Sequence, residues 1–411
     1  MTYLAWAIFL FLTQAVSANS GALFRIIETG TPENINITLC LNGYGPLSCQ
    51  RYNISKLNLE IFTTIPNHTY SRIGIKINTQ GYAPINCTAY HNGYCIFSAS
   101  STAPAFITNV MTTYQLVTIG NPGNQPNPID NSGSVDYSYQ IGKFTVTIAQ
   151  YAAFLNAVAK TDTHGLYNEN MGTDLNSAGI TRSGFSGNYV YEVMDNAGSS
   201  ANRPITFVNW FDAARFSNWM ANGQPSGAQN SITTENGAYA LNGAISGLVS
   251  SKNTINPNTG APPSFYIPLS NEWYKAAYYD SRLNNGSGGY YIYATQSNSE
   301  PGNVIGDTPN NANFFTGVFS VTGSSNYVFS LQNYITDVGL FSASNSFYGT
   351  FDQNGNVWEW ADFDGTTSVQ RDLLGGHWFS GVSTFTGGLR AVDTATSAYS
   401  DRGFRLASPT T

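Results

Sequence analysis

All four cysteines of this chain lie within its first hundred residues, at Cys40, Cys49, Cys87 and Cys95. Everything that follows Cys95 must therefore fold without a disulfide or a thiolate ligand. The even number predicts two disulfides, and among the three connectivities that four cysteines allow, the short spacings favour Cys40 with Cys49 and Cys87 with Cys95. A metal site is the alternative, although no CxxC pair is present and His91 stands alone nearby.

Composition limits the partners of the chain. Of its 411 residues, 42% are hydrophobic and 14% aromatic, enough for a sizeable core and two domains. Only 10% are charged, the net charge is −7, and no basic stripe occurs, which excludes a nucleic-acid binder. The abundance of turn-forming residues is typical of a loop-rich extracellular protein.

Residues 1–18 have the pattern of a signal peptide. An apolar run from Leu4 to Leu12 precedes Val16, Ser17 and Ala18, after which a signal peptidase could cut. No cation precedes Arg25, so a buried N-terminal strand or an uncleaved anchor is the alternative. The run is short for a bilayer, and no later run is long enough. We therefore expect a secreted, periplasmic or cell-surface protein without a stable membrane span after cleavage.

Residues 19–114 are predicted to form a small all-β, sandwich-like domain with the disulfides. The segments "NLEIFTTI", "RIGIKINT" and "YCIFSAS" alternate apolar and polar residues and are separated by turn clusters. His68 and His91 are predicted to lie in turns or on the surface. Nothing in this stretch indicates catalysis, so we interpret it as a binding, spacer or surface-display module.

Residues 115–411 are predicted to form a second domain. A Gly, Pro and Asn loop precedes "IGKFTVTIAQYAAFLNAV", where apolar residues from Tyr151 to Val158 have helical spacing and Thr147 is a candidate N-cap. Next, "RPITFVNWFDAARFSNWMANGQ" predicts an amphipathic helix along which Phe211, Ala214, Phe216 and Trp219 lie.

Five segments carry a family resemblance: the two just quoted, "YIPLSNEWYKAAYYD", "NGNVWEWAD" and "LGGHWFSG…GLRAV…DRGFRLA". In this order they resemble the motifs of the formylglycine-generating enzyme, or sulfatase-modifying factor, family, over 115–408. The subgroup that they resemble most is bacterial and exported. The resemblance implies an α+β fold of the irregular C-type-lectin-like kind, with short strands, two main helices and many loops.

The resemblance also implies what is missing. The family's oxidases hold copper with two cysteines after the paired glycines and convert a substrate cysteine into formylglycine. The matching positions here are Ser380 and Phe385, so the thiolates that Cu(I) requires are absent and copper is not expected. A different branch of the superfamily uses non-haem iron, but His164 and His377, the histidines of the second domain, form no spaced pair. No catalytic residue is therefore predicted.

Calcium is the expected cofactor, with a structural role. By resemblance, one site of the family corresponds to Asp352, Gly355, Val357 and Glu359, the middle two binding through backbone oxygens. Asn313 and the carbonyl of Phe314 resemble part of a second site. In the alternative interpretation, Asp352 and Glu359 only cap turns and accept hydrogen bonds from backbone amides.

Two function classes remain open. One is an active, exported formylglycine-generating-enzyme-like oxidoreductase that modifies a protein. The other, which we favour, is a protein without that oxidase activity that binds a peptide, protein or glycan through the former active-site cleft, a mixed aromatic and hydroxyl surface. This segment also resembles the hypervariable ends of retroelement-diversified proteins that share the fold. The predicted ligand-binding residues are His377, Trp378, Phe379, Ser380, Phe385 and Arg390.

Overall fold

The computed structural model describes residues 21–26, 35–41, 48–54, 59–64, 72–77, 89–91, 94–98, 114–363, 367–386 and 390–410. The chain divides into two compact units, Met1–Thr113 and Tyr114–Thr411. In the described part of the chain, no helix is long and apolar enough to cross a membrane.

The described residues of the first unit are all β-strands. The strands are β1 Gly21–Ile26, β2 Ile35–Leu41, β3 Ser48–Ile54, β4 Leu59–Thr64, β5 Arg72–Ile77, β6 Ala89–His91 and β7 Tyr94–Ser98. β1 pairs with β4, and the others form an antiparallel sheet in the order β3-β2-β5-β7-β6. The strands predicted in "NLEIFTTI", "RIGIKINT" and "YCIFSAS" are confirmed as β4, β5 and β7.

The predicted disulfides fall on four cysteines whose side chains are all outside the described part of the structure. In the backbone register, Cys40 of β2 is the direct partner of Cys49 of β3. Cys95 lies in β7, and Cys87 falls outside the described residues, as does the signal peptide predicted for residues 1–18. Both disulfides therefore stay predictions.

The second unit contains two main helices near its start. Helix α1, Ile148–Val158, begins at the predicted N-cap, because Thr147 Oγ1 accepts a hydrogen bond from the Gln150 amide and the Gln150 side chain accepts one from the Thr147 amide. This reciprocal pair is a capping box. The short helix α2 is Asn170–Thr173, and α3 is Trp210–Ala221 with a capping box of Asn209 and Asp212.

Helix α3 differs from its prediction as an amphipathic helix, because every one of its residues is buried. Its polar side chains have partners inside the protein. Arg215 pairs with Glu235 at 2.8 Å, and the Asn218 amide group donates to the carbonyls of Thr234 and Tyr239. The loops that wrap around α3 supply those partners, and a polar helix face can be buried only when it is paired in this way.

The remaining elements are short. Two more helical segments are α4 Ser270–Tyr278 and α5 Leu283–Gly286. The strands are β8 Leu116–Ile119, β9 Tyr139–Gly142, β10 Ile180–Ser183, β11 Val190–Val193, β12 Tyr279–Asp280, β13 Gly289–Tyr290, β14 Trp358–Ala361, β15 Gln370–Leu374, β16 Ala391–Thr394, β17 Arg402–Phe404 and β18 Ala407–Pro409; the turn Val382–Thr384 is 3₁₀.

Two sheets join distant parts of this unit. One has the order β16-β15-β14-β17, with β14 and β17 parallel, and the other has the order β18-β9-β8, which pairs the end of the unit with its beginning. Between them, the Phe216 ring of α3 contacts the rings of Tyr151, Phe154, Trp219 and Phe404 at centroid distances of 5.3 to 6.0 Å. Helices and the last strands thus share one aromatic core, as expected for an α+β fold.

Candidate functional site

The two positions that match the family's copper ligands lie inside the protein. Ser380 is buried, and its Oγ accepts a hydrogen bond from the amide of His377 at 3.1 Å. Phe385 is 0% exposed, and its ring packs against Phe314 with 4.7 Å between centroids. A hydroxyl and a phenyl ring offer no thiolate, so these residues do not fit a Cu(I) site.

The second of the paired glycines, Gly376, is required by the Phe385 ring. Gly376 has a φ of +73°, and a Cβ built on it would lie 2.4 Å from Cε1 of the Phe385 ring. Real Cβ atoms do not approach a ring so closely, which means that the backbone turn and the ring are fitted to each other. The space beside the turn is therefore filled by an aromatic side chain.

An aromatic stack lies beside this turn. Trp378 stacks on Tyr334 with 4.9 Å between centroids and on Phe379 with 5.4 Å, both at an interplanar angle of 7°. Trp378 is 2% exposed, whereas Phe379 is 42% exposed. Of the predicted ligand-binding residues, Trp378, Ser380 and Phe385 are thus buried, and Phe379 presents the stack to solvent.

His377 lies next to the stack and close to the Asp401 carboxylate. Its Nδ1 lies 3.7 Å from Oδ2 of Asp401, and its ring lies 6.1 Å from that of Trp358. Burial lowers the pKa of His377, while the Asp401 carboxylate opposes this shift and the Arg402 guanidinium adds to it. The His377 imidazole can hydrogen-bond a ligand, and its partners in the described part of the chain are the Asp401 carboxylate and the Phe379 amide.

Arg390 has partners from other parts of the unit. Its guanidinium lies 3.4 Å from Oδ2 of the buried Asp372 and donates to the Ser132 hydroxyl at 2.8 Å. Asp372 also accepts a hydrogen bond from Ser270. Arg390 therefore ties β15 to two loops.

The carboxylate of Glu359, a predicted calcium ligand, already binds other side chains of the protein. Both of its oxygens bind the Arg405 guanidinium, at 2.5 and 2.6 Å, and Oε2 also accepts from the Trp273 indole at 2.7 Å. Arg405 and Glu359 are completely buried. Glu359 does not fit a calcium ligand in this arrangement, because the ion would have to displace Arg405.

Of the other predicted calcium ligands, Asn313 and Gly355 are direct neighbours, and Val357 is buried. Asn313 and Gly355 form a parallel bridge, and a Cβ on Gly355 would lie 2.2 Å from the Asn313 carbonyl oxygen. The Phe314 carbonyl accepts from the side chain of Asn303 at 3.1 Å. Asp352 Oδ2 accepts from the Gly339 amide at 2.7 Å.

A small polar cavity adjoins Asp352. Its free space is about 10 Å³ for the centre of a water-sized sphere, which is room for one water molecule or ion. The lining side chains with oxygen atoms are Thr295, Asn311, Ser344, Thr350, Asp352, Gln353 and Asn354. Among the residues that the structure describes, no three His, Cys, Asp or Glu side chains form a metal-binding group. Amide and hydroxyl oxygens therefore dominate this cavity.

A turn at 327–332, which sequence reasoning missed, lies beside Phe379. Tyr327 contacts the Phe379 ring at 4.9 Å, and Phe329 follows at 6.5 Å from Tyr327. The segment "YVFSLQ" begins with three apolar residues in a row and alternates apolar and polar residues only from Phe329 to Gln332, which is too short to predict a strand. The apolar residues of this segment can be read from the sequence, but only the folded chain shows that Tyr327, Phe329 and Leu331 are exposed.

Comparison with protein families gives a match within the second unit. The model of the sulfatase-modifying factor enzyme 1-like domain matches residues 117–410. A search of curated proteins found no match.

Similar solved structures include three proteins, each of which matches almost three quarters of this chain. The crystal structure of CarF is 21% identical, with 73% of this chain and 99% of CarF covered and a TM-score of 0.43. Treponema denticola variable protein 1 is 17% identical over 72% and 95%, with a TM-score of 0.41. PvdO from Pseudomonas aeruginosa is 18% identical over 72% and 92%, with a TM-score of 0.35. Since the family model spans most of the chain, the protein belongs to the family of sulfatase-modifying factor enzyme 1-like domains.

Proposed function

We propose that this family member binds a peptide, protein or glycan ligand and does not oxidise cysteine to formylglycine. The observation that carries the proposal is the Phe385 ring, which fills the space beside Gly376 at the position of a copper-binding cysteine. Ser380 at the other position supplies only a hydroxyl. An oxidase that depends on a Cu(I) dithiolate has neither ligand here.

The proposed binding surface is centred on Phe379. Its ring ends the stack of Tyr334 and Trp378 and is supported by rings on its protein side, so it is held in place before a ligand arrives. Preorganised aromatic side chains lose little conformational entropy on binding. His377 borders Phe379 and adds a polar group.

The oxidase half of the proposal is tested by mass spectrometry. Purified protein is incubated with a sulfatase-type cysteine peptide, copper and oxygen, and we expect the peptide mass to stay unchanged. The double variant S380C/F385C introduces a thiol at both positions. If this variant binds copper and the natural protein does not, the two thiols are the groups that the natural site lacks. Conversion of the peptide thiol to an aldehyde by the natural protein would contradict the proposal.

The binding half is tested with arrays of immobilised peptides and glycans. We expect the full chain to bind members of at least one array and the F379S variant to lose that binding. F185S is the matched control, because Phe185 is also an exposed phenylalanine. Equal binding by F379S and the natural protein would show that this surface is not the binding site.

We further propose that one calcium ion stabilises the second unit at the cavity beside Asp352. The supporting observations are the oxygen-rich lining and its room for a single ion. Asp352 would hold the ion together with neighbouring amide oxygens, and Glu359 would stay with Arg405. Export, with two disulfides in the first unit, is likewise proposed from the sequence.

A further inference from the structure

Several exposed apolar side chains lie on the turn at 327–332 or on segments near it. We define the apolar patch as Val304, Val318, Tyr327, Phe329, Leu331 and Phe379, all of which are exposed. Phe329 and Leu331 are the most exposed residues of the patch, at 71% each. Tyr327 joins Phe329 to Phe379 through ring contacts, and the side chain of Asn303, next to Val304, donates to the Val318 carbonyl at 2.8 Å.

The turn that carries Phe329 and Leu331 is held rigidly by one buried side chain. The Asn176 side chain donates to the carbonyls of Val328 and Gln332 at 2.9 and 2.8 Å. Its Oδ1 accepts from the Tyr327 hydroxyl at 3.0 Å and from the Ser330 amide at 2.9 Å. The Asn176 side chain thus makes all four of its possible hydrogen bonds with this turn.

The backbone at the tip is strained, and Asn176 offsets the strain. Ser330 has a φ of +53°, in the left-handed region that non-glycine residues seldom adopt. Its hydroxyl donates to Oδ1 of Asp174 at 2.8 Å. A strained tip that presents two apolar side chains to water costs stability in the isolated chain, so we expect a function for it.

The hydroxyl groups of the turn are engaged inside the protein. Tyr327 donates to Asn176 and Ser330 donates to Asp174, while the projecting side chains are a phenyl and an isobutyl group. A glycan site needs polar groups directed at the sugar hydroxyls, whereas these side chains suit an apolar protein surface.

The size of the patch fits a protein partner. An aromatic side chain buries roughly 150–250 Å² when fully covered, so at the observed exposures the six residues offer on the order of 500 Å² of mostly apolar surface. A standard interface covers about 800 Å² on each partner, including a polar rim. The patch is therefore large enough to be the centre of a dimer interface.

We propose that the ligand of the apolar patch is a second copy of this chain. A two-fold interface requires a self-complementary surface, and the patch combines a projecting pair, Phe329 and Leu331, with the flat rings of Tyr327 and Phe379. No residue of the patch is ionisable near neutral pH, so the patch residues themselves bring no like charges of the two chains, each of net charge −7, into contact. The inference rests on the proposed function, because Phe379 belongs to both surfaces.

Sedimentation velocity of the full chain over a range of concentrations tests this inference. We expect a reversible dimer whose dissociation constant rises roughly a hundredfold in F329S/L331S, since central apolar anchors carry most of the binding energy. The matched control is I245S/L248S, which removes two exposed aliphatic side chains outside the patch and should leave the dimer unchanged. Thermal melting of both variants verifies that they are folded.

A monomer at every concentration, or a dimer that F329S/L331S does not weaken, overturns the inference. Monomers that bind phosphatidylcholine vesicles through Phe329 and Leu331 would also overturn it, in favour of a lipid surface. The arrays separate the two proposals: a monomer that binds an array through Phe379 leaves the proposed function standing. If the protein is monomeric and no array ligand depends on Phe379, both proposals fail.

Discussion

At the scale of single residues, Phe385, at the position that resembles a copper-binding cysteine of the family, is part of the core. Its ring packs against Phe314 and fits the turn at Gly376, and its carbonyl accepts from the Tyr278 hydroxyl at 3.1 Å. The exposed Phe379 lies six residues earlier in the same segment. We therefore expect replacement of Phe385 to affect mainly stability and replacement of Phe379 to affect mainly binding.

We expect F385A to lower the free energy of unfolding by about 3–5 kcal/mol, the usual cost of truncating a buried phenylalanine. F379A is the matched control and should cost less than about 1 kcal/mol, because its ring is already partly in water. Chemical denaturation of both variants measures the difference. Similar losses in the two variants would contradict the burial described for Phe385.

The buried pair of Glu359 and Arg405 yields a second residue-level prediction. In E359Q the guanidinium stays buried without its carboxylate, which we expect to lower the free energy of unfolding by about 3–5 kcal/mol. E169Q is the control, because Glu169 is exposed in its pair with Arg182 and such pairs contribute about 0–1 kcal/mol. A calcium-independent loss in E359Q would support Arg405, not calcium, as the charge partner.

At the scale of elements, the helices owe their starting points to local caps and their burial to the surrounding loops. The capping box of α3 places the Asp212 carboxylate at the helix N-terminus, where it accepts from the Asn209 amide at 2.9 Å. Burial raises the pKa of Asp212 to about 7, although the Asn209 hydrogen bond and Arg215 act in the opposite direction. The start of α3 is therefore sensitive to pH.

Proton linkage determines how Asp212 changes the free energy of unfolding with pH. Because the folded-state pKa lies above the unfolded value of about 3.9, Asp212 contributes stability below pH 4, and that contribution is lost as the pH rises through 7. D212N keeps an oxygen acceptor and cannot ionise. We expect natural protein to lose on the order of 2–4 kcal/mol relative to D212N between pH 4 and pH 8.

Denaturant titrations at several pH values measure this difference, and D307N, at an exposed aspartate, controls for the loss of one negative charge. Parallel pH profiles for D212N and the natural protein would show that Asp212 is ionised in the fold without penalty.

At the scale of the whole molecule, the second unit has long irregular loops between short strands, and side chains satisfy much of its backbone. Asn176 and Asn313 are examples, each bonding backbone carbonyls far along the chain. A bound ion at the Asp352 cavity would add to the same kind of cross-linking. The unfolding temperature of the full chain is therefore the appropriate measurement for calcium.

We expect calcium at a hundredfold excess over its dissociation constant to stabilise the second unit by about 2.7 kcal/mol, a rise of a few degrees in the midpoint of its thermal transition. D352N should lose the effect, and magnesium should not replace calcium because it demands stricter geometry. Midpoints that coincide with calcium and with a chelator would disprove the proposed site.

The sequence determined the order of the motifs, the N-cap Thr147, three strands of the first unit and the absence of thiols after Cys95. These features depend on residue type and on neighbours within about four positions, which is the range of a helical hydrogen bond or a strand alternation. The family membership follows from the same local information, because each motif is a short run of letters.

Only the tertiary structure decided which of the site residues meet solvent and which meet each other. Trp378 and Phe385 are buried by rings from other segments, Glu359 pairs with Arg405 46 positions later, and Asn176 shapes a turn more than 150 positions away. Such contacts depend on how loops of this unit cross in space. A local pattern cannot encode that, since the same apolar side chain serves equally well in a core or on a docking surface.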